Sequence, residues 1–218
     1  MTELEVRVRR LEDLEAIRGL AVRYGYAVDE RDIGAICALF TPDGELRTTR
    51  ESKGRGHAEI AEYYRKGYKV LGPTNHFTHG HIVDFDDGDP DRATGVVFSH
   101  AEVVRDGVPM VTAMRYHDTY QREAAGWRFR ERIQTYMYFV DVQEYRGALA
   151  SELRMRRAAG SWQPADWPAV LAGQAGGQAG RAGPHAVRDV EAGQQEQPPG
   201  FDRVEHLRGH ILRVGGWR

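Results

Sequence analysis

Along the first forty residues the apolar positions recur at helical spacing. Leu14, Ile17, Leu20, Ala21, Tyr24 and Val28 step by three and four and predict one face of a long amphipathic helix. Asp32, ahead of Ile33, Ile36, Cys37 and Phe40, predicts a second, N-capped helix that Pro42-Asp43-Gly44 ends as a turn. Residues 45–50 predict a short strand, and 57–68 a third helix with Ile60, Tyr63 and Tyr64 turned inward. From residue 75 the period shortens. The stretches 75–86, 93–105, 110–123 and 126–139 predict strands, and the DDGDPD, RDG and EAAG segments between them are hairpin chemistry. Three successive hairpin links make an antiparallel, curved sheet, and helices packed on one of its faces give an α+β domain.

Composition changes that picture near residue 160, where aromatic and β-branched residues give way to Gly, Ala, Gln and Pro. The reading is a folded domain over 1–155 and a C-terminal extension over 156–218, disordered across 172–200 because so little apolar surface cannot offset the ordering entropy. Within the extension, 164–172 predicts a short helix that docks Trp162 or Trp167, and 201–218 a weak helix or strand. A net charge of −2 offers no basic field for phosphates and argues against nucleic acid as a partner. The single cysteine, Cys37, falls on an apolar helix face and reads as a core residue. No apolar leader or membrane-length run is present, so a cytoplasmic protein without membrane contact is expected.

Candidate chemistry gathers on the first helix and the first long strand. Tyr24 and Asp29 are five residues apart, about 140° around a helix axis, and share a face loosely. A carboxylate at a helix C-terminus opposes the dipole there, which points to a local partner. His76 is a residue type able to accept and donate a proton near neutral pH, and with Asp29 as partner its imidazole would be oriented and its charged form stabilised. His100 on the neighbouring strand is a second candidate proton carrier, if it faces inward. Strict alternation puts His79 and His81 on one strand face and His76 on the other, too few convergent ligands for a metal. On the last strand it puts Trp127, Phe129 and Ile133 on one face, with Arg128, Arg130 and Arg132 on the other. Tyr63, Tyr64, Phe77, Phe98, Met114 and Tyr116 supply candidate substrate contacts, Tyr24 with Tyr63 or Tyr64 being the best hydroxyls for polarising a carbonyl. Nucleotide fingerprints, a serine elbow and a cysteine nucleophile are all missing, so chemistry without a cofactor or metal is expected.

Residues 11–140 resemble the SnoaL-like branch of the nuclear transport factor 2-like superfamily. The resemblance is carried by LEDLEAIRGLAVRYGYAVDERD, ALFTPDGEL, TNHFTHGHIVDF, the RYHDTY run and GWRFRER. It implies a cone-shaped α+β barrel, with three N-terminal helices closing over a strongly bent, mostly antiparallel sheet around a deep pocket. Dehydratases of this kind use a tyrosine, an aspartate and a strand histidine, which match Tyr24, Asp29 and His76. A second strand histidine of scytalone dehydratase falls at Thr112 or Ala113, and His100 is the candidate substitute. The base of ketosteroid isomerases falls near Thr48, which cannot serve. Arg115 and Asp118 do not reproduce the Asp–Arg–Asp set of limonene-type epoxide hydrolases, because three-residue spacing sets them on opposite strand faces. The resemblance thus implies a dehydratase, cyclase or isomerase acting on a small apolar ring compound. It also implies a homodimer or homotrimer formed through the outer sheet face. A non-catalytic binding or oligomerisation module is the contrasting expectation.

Overall fold

The computed structural model describes residues 2–158 and 161–167. Helix α1 (Glu3–Asp29) opens with a capping box: Thr2 accepts from the Glu5 amide, and the Glu5 carboxylate accepts from the Thr2 amide. Its first turns are exposed. From Ile17 to Val28 it buries the predicted stripe. Asp32 caps α2 (Ile33–Ala38) by accepting from Ala35 N–H at 2.8 Å. The chain then turns directly into β1 (Phe40–Thr48), so Phe40 begins a strand rather than ending a helix. Pro42-Asp43-Gly44 lies inside β1, where the pairing to β6 is interrupted between Phe40 and Glu45. A short β2 (Ser52–Arg55), not expected from the pattern, folds back on β1 ahead of α3 (Gly56–Gly67).

The long strands β3 (Leu71–Phe85), β4 (Arg92–Arg105), β5 (Val108–Glu123) and β6 (Gly126–Asp141) form the predicted antiparallel meander. The sheet order is β2-β1-β6-β5-β4-β3, with β1 parallel to β6. The sheet is curved and unclosed. After β6 come a 3-10 turn, a one-turn α4 (Tyr145–Ala148), and the small strands β7 (Met155–Ala158) and β8 (Ser161–Gln163). β7 runs parallel to β6 through Phe139 and Met155, so the chain just past 155 adds to the sheet. Residues 164–167 are not helical; the remainder of the expected 164–172 helix, and the 172–200 and 201–218 segments, lie outside the described residues.

Bulges along the long strands reset which side chains point inward. In β3, Thr78 faces Ser99 while His81 faces Val97, one extra residue on β3. In β6 an extra residue lies between Phe129 and Glu131, and another between Tyr136 and Tyr138. Each shifts the two-residue alternation by one. The main core therefore contains Trp127 and Phe129 but then Arg132 and Gln134, rather than Ile133. Among the described residues no helix is long and apolar enough to cross a membrane.

Candidate active site

Asp29 ends α1, and its carboxylate is met by three donors from β3. Thr74 hydroxyl and His76 Nδ1 donate to Oδ1, both at 2.7 Å, and the His76 amide donates to Oδ2 at 2.8 Å. Gly25 permits this approach: a Cβ there would stand 3.1 Å from His76 Cβ. Burial disfavours the ionised Asp29, yet the hydrogen bonds from the His76 ring, Thr74 and the His76 amide outweigh it and hold the carboxyl below its ordinary value. An ionised carboxylate only accepts, so Nδ1 carries a hydrogen and Nε2 is the ring nitrogen left free of Asp29.

His76 lines a cavity of about 130 Å³ bounded by Tyr24, Tyr63, Tyr64, Met114, Tyr116 and the far half of β6. The Tyr24 and Tyr64 hydroxyls are hydrogen-bonded to each other across it. Gln134 Nε2 donates to Tyr24 Oη at 3.4 Å, and Tyr136 hydroxyl donates to Gln134 Oε1 at 3.3 Å. Burial pushes both paired phenols up, Tyr24 to about 12 and Tyr64 well above its ordinary value. The Arg132 guanidinium, 4.3 Å from the Tyr24 ring centroid, offsets part of that rise at Tyr24.

The structure thus brings together Tyr24, Asp29, His76, Tyr63, Tyr64, Met114 and Tyr116. It does not bring in His100, Phe77 or Phe98. On β4 the inward positions are the odd ones, Val97, Ser99 and Ala101, so Phe98 and His100 face outward. Phe77, opposite His100 in the ladder, is 44% exposed. His100 Nδ1 instead bonds His79 Nε2 at 2.9 Å on the outer face. The β3 bulge also corrects the histidine faces: His79 points out, and His81 points in on the same side as His76. Of the two positions matched to the second dehydratase histidine, Thr112 lines the cavity and Ala113 points away.

A second polar assembly, missed by strict alternation, lies deeper in the inner face. Arg132 Nε and one of its terminal nitrogens donate to Asp118 at 2.9 and 2.8 Å. Tyr120 hydroxyl donates to Asp118 at 2.9 Å and pairs with His81 Nε2 at 2.9 Å. The guanidinium is packed among the rings of Tyr24, Tyr116 and Phe129. Burial, reinforced by Arg132 and Arg18 against the pull of Asp118, drives the His81 imidazole down to about 4. Tyr136, Gln134, Phe139 and Arg105 also line the cavity without having been singled out. Only the register of β6 against β5 would have marked the β6 residues. Among the described residues, no three His, Cys, Asp or Glu side chains group as a metal site.

Solved structures with this arrangement of elements are numerous. A scytalone dehydratase-like protein from Novosphingobium aromaticivorans superimposes with a TM-score of 0.56 at 18% identity, over 61% of this chain and 89% of the other. The type 3 LinA hexachlorocyclohexane dehydrochlorinase of Novosphingobium barchaimii gives 0.56 at 17%, over 62% and 94%. An NTF2-like protein with a cystatin-like fold from Novosphingobium aromaticivorans gives 0.51 at 29%, over 69% and 97%. Comparison with curated protein sequences finds no match. These likenesses describe the fold. The sequence pattern of the SnoaL-like domain matches residues 9–133, more than half of the chain, and the protein therefore belongs to the SnoaL-like domain family, within the nuclear transport factor 2-like superfamily.

Proposed function

We propose that the protein is a cofactor-independent lyase or isomerase that moves a proton on a small, apolar, oxygenated ring compound, with dehydration as the leading reaction. One observation carries this reading: a histidine oriented by a buried-edge carboxylate opens onto an apolar cavity that also holds a hydrogen-bonded phenol pair. In the proposed sequence Tyr24 donates a hydrogen bond to the substrate carbonyl. His76 Nε2 takes a proton from the carbon beside that carbonyl, and Asp29 stabilises the imidazolium. The electron pair left on carbon forms the double bond as the neighbouring carbon–oxygen bond breaks. His76 returns its proton to the departing hydroxide, so water leaves and the enzyme is restored. In an isomerisation the same proton returns to another carbon.

Two neighbours are named for eliminations, of water and of hydrogen chloride, which supports this reaction class as an analogy of fold. A cavity of about 130 Å³ is below the roughly 300–1,000 Å³ usual for ligand pockets, which favours a one-ring ketone over a steroid-sized one. The test is turnover of cyclic β-hydroxy ketones by the parent, Asp29→Asn and His76→Ala. Losses of about 10²–10⁴-fold are expected in both variants. Unchanged turnover in both would sink the mechanism and leave a binding module of the same fold.

A further inference from the structure

Strand β6 is fully paired on one side and only partly on the other. β5 runs along its whole length. On the opposite side β1 pairs as far as Gln134, and β7 begins only at Phe139. Between them the backbone of Tyr136 faces a gap in the sheet. Asp166 fills it. Its N–H donates to the Tyr136 carbonyl at 2.9 Å, and its carboxylate accepts from the Tyr136 N–H at 2.9 Å. The other carboxylate oxygen accepts from the Thr49 hydroxyl at 3.0 Å, just past the end of β1. One residue thus does for Tyr136 what a neighbouring strand would do, with a charge-assisted bond to the amide.

The segment that delivers Asp166 is itself tied down. Arg154, 3% exposed, donates to the carbonyls of Met137, Ser151 and Trp167. The Arg115 guanidinium lies 3.9 Å from the Trp167 ring centroid, and Arg50 donates to the Gln163 side chain at 3.1 Å. The place it reaches matters to the cavity. Tyr136 lines the wall, and its hydroxyl begins the chain through Gln134 to Tyr24. β6 also bulges between Tyr136 and Tyr138, where the ladder to β5 is locally disrupted and the strand is free to twist.

We propose that Asp166 is a positioning residue of the cavity: by occupying the gap between β1 and β7 it sets the angle at which Tyr136 supports Gln134 and Tyr24. Arg154 and the segment from Gln163 to Trp167 are thereby part of the site, and this rests on the cavity being the binding site assigned above.

The test uses the full chain and its Asp166→Ala and Asp166→Asn variants, with 4-nitrophenol as the one-ring probe. Binding is followed by absorbance, and backbone amide exchange by NMR. In Asp166→Ala, binding is expected to weaken about tenfold and protection of the Tyr136 amide to fall about tenfold or more, with the α1 amides around Tyr24 unchanged. Asp166→Asn keeps an acceptor oxygen for the Tyr136 N–H and is expected to stay within about twofold of the parent. Parental binding in Asp166→Ala would overturn the proposal, as would equal losses in the two variants or a protection loss spread over α1 and β6 together. Failure of the parent to bind 4-nitrophenol would overturn the cavity reading first and this proposal with it.

Discussion

Two carboxylate assemblies stand on the same inner sheet face, and their surroundings give them different work. Asp118 and Arg132 are fully enclosed, both side chains 0% exposed, and they are surrounded by Tyr120, whose hydroxyl also bonds His81, and by three aromatic rings. Asp29 and His76 are 19% and 12% exposed, and the imidazole borders an open cavity. Enclosure makes the first pair a matter of mutual satisfaction, because either member alone would be a buried, unpaired charge. The second pair borders a void, which leaves the free face of the imidazole open to a molecule that enters it. Shared chemistry does not make a shared role; the neighbouring space does.

The largest expected effect is on the enclosed pair. Asp118→Ala strands the Arg132 guanidinium and should lower unfolding free energy by about 3–5 kcal/mol in chemical denaturation, whereas Asp118→Leu with Arg132→Met should recover most of it. Asp29→Asn, in contrast, should stay within about 1 kcal/mol of the parent while losing turnover. An Asp118→Ala chain as stable as the parent would erase the distinction.

Next in size is the phenol pair. Arg132 beside its ring favours the ionised form of Tyr24 and so suits it to donate to a developing oxyanion, and Tyr24→Phe should lower turnover by about 10²-fold and Tyr64→Phe by less. Equal losses, or a larger loss at Tyr64, would assign the donor the other way.

A smaller, pH-dependent effect should come from His81. His81 is depressed to about 4 in the folded chain, from an ordinary 6.5, so the unfolded chain binds the extra proton first as pH falls. Its contribution to stability is fully present above about 6.5 and is lost as pH falls to about 4. His81→Gln should flatten that part of the stability–pH curve, and an unchanged slope would count against a buried neutral His81. Asp29 should give the smallest signal. Its depressed carboxyl contributes stability above the ordinary carboxylate value, lost as pH falls through the folded value, and Asp29→Asn should remove that acid-side component alone.

Helical spacing identified α1 and α3, and the Asp32 cap marked the start of α2. Gly- and Asp-rich turns delimited the four long strands, because these signals act over a few residues and carry their physics with them. The end of α2 departs from the pattern: Phe40 continues the apolar stripe, yet it is taken by β1, where it is 1% exposed and packs edge-on to Tyr24 and tilted against Phe129. Strand faces failed wherever a bulge intervened. Alternation sets Arg132 with Arg128 and Arg130 opposite Trp127 and Phe129, and one extra residue after Phe129 turns it into the core. His81 moved inward for the same reason on β3.

The sequence by itself determined that this chain makes an α+β domain of the SnoaL-like kind and put Tyr24, Asp29 and His76 forward as its chemistry-bearing residues, since period, caps and turns are local. Only the tertiary structure decided which strand residues face the cavity and how Asp29 meets its expected partner His76, through the backbone amide as well as the ring. It alone turned His100 outward and brought Asp166, far along the chain, to mend the edge of β6. Those outcomes depend on bulges and on long-range register, where a single inserted residue reverses every side chain after it.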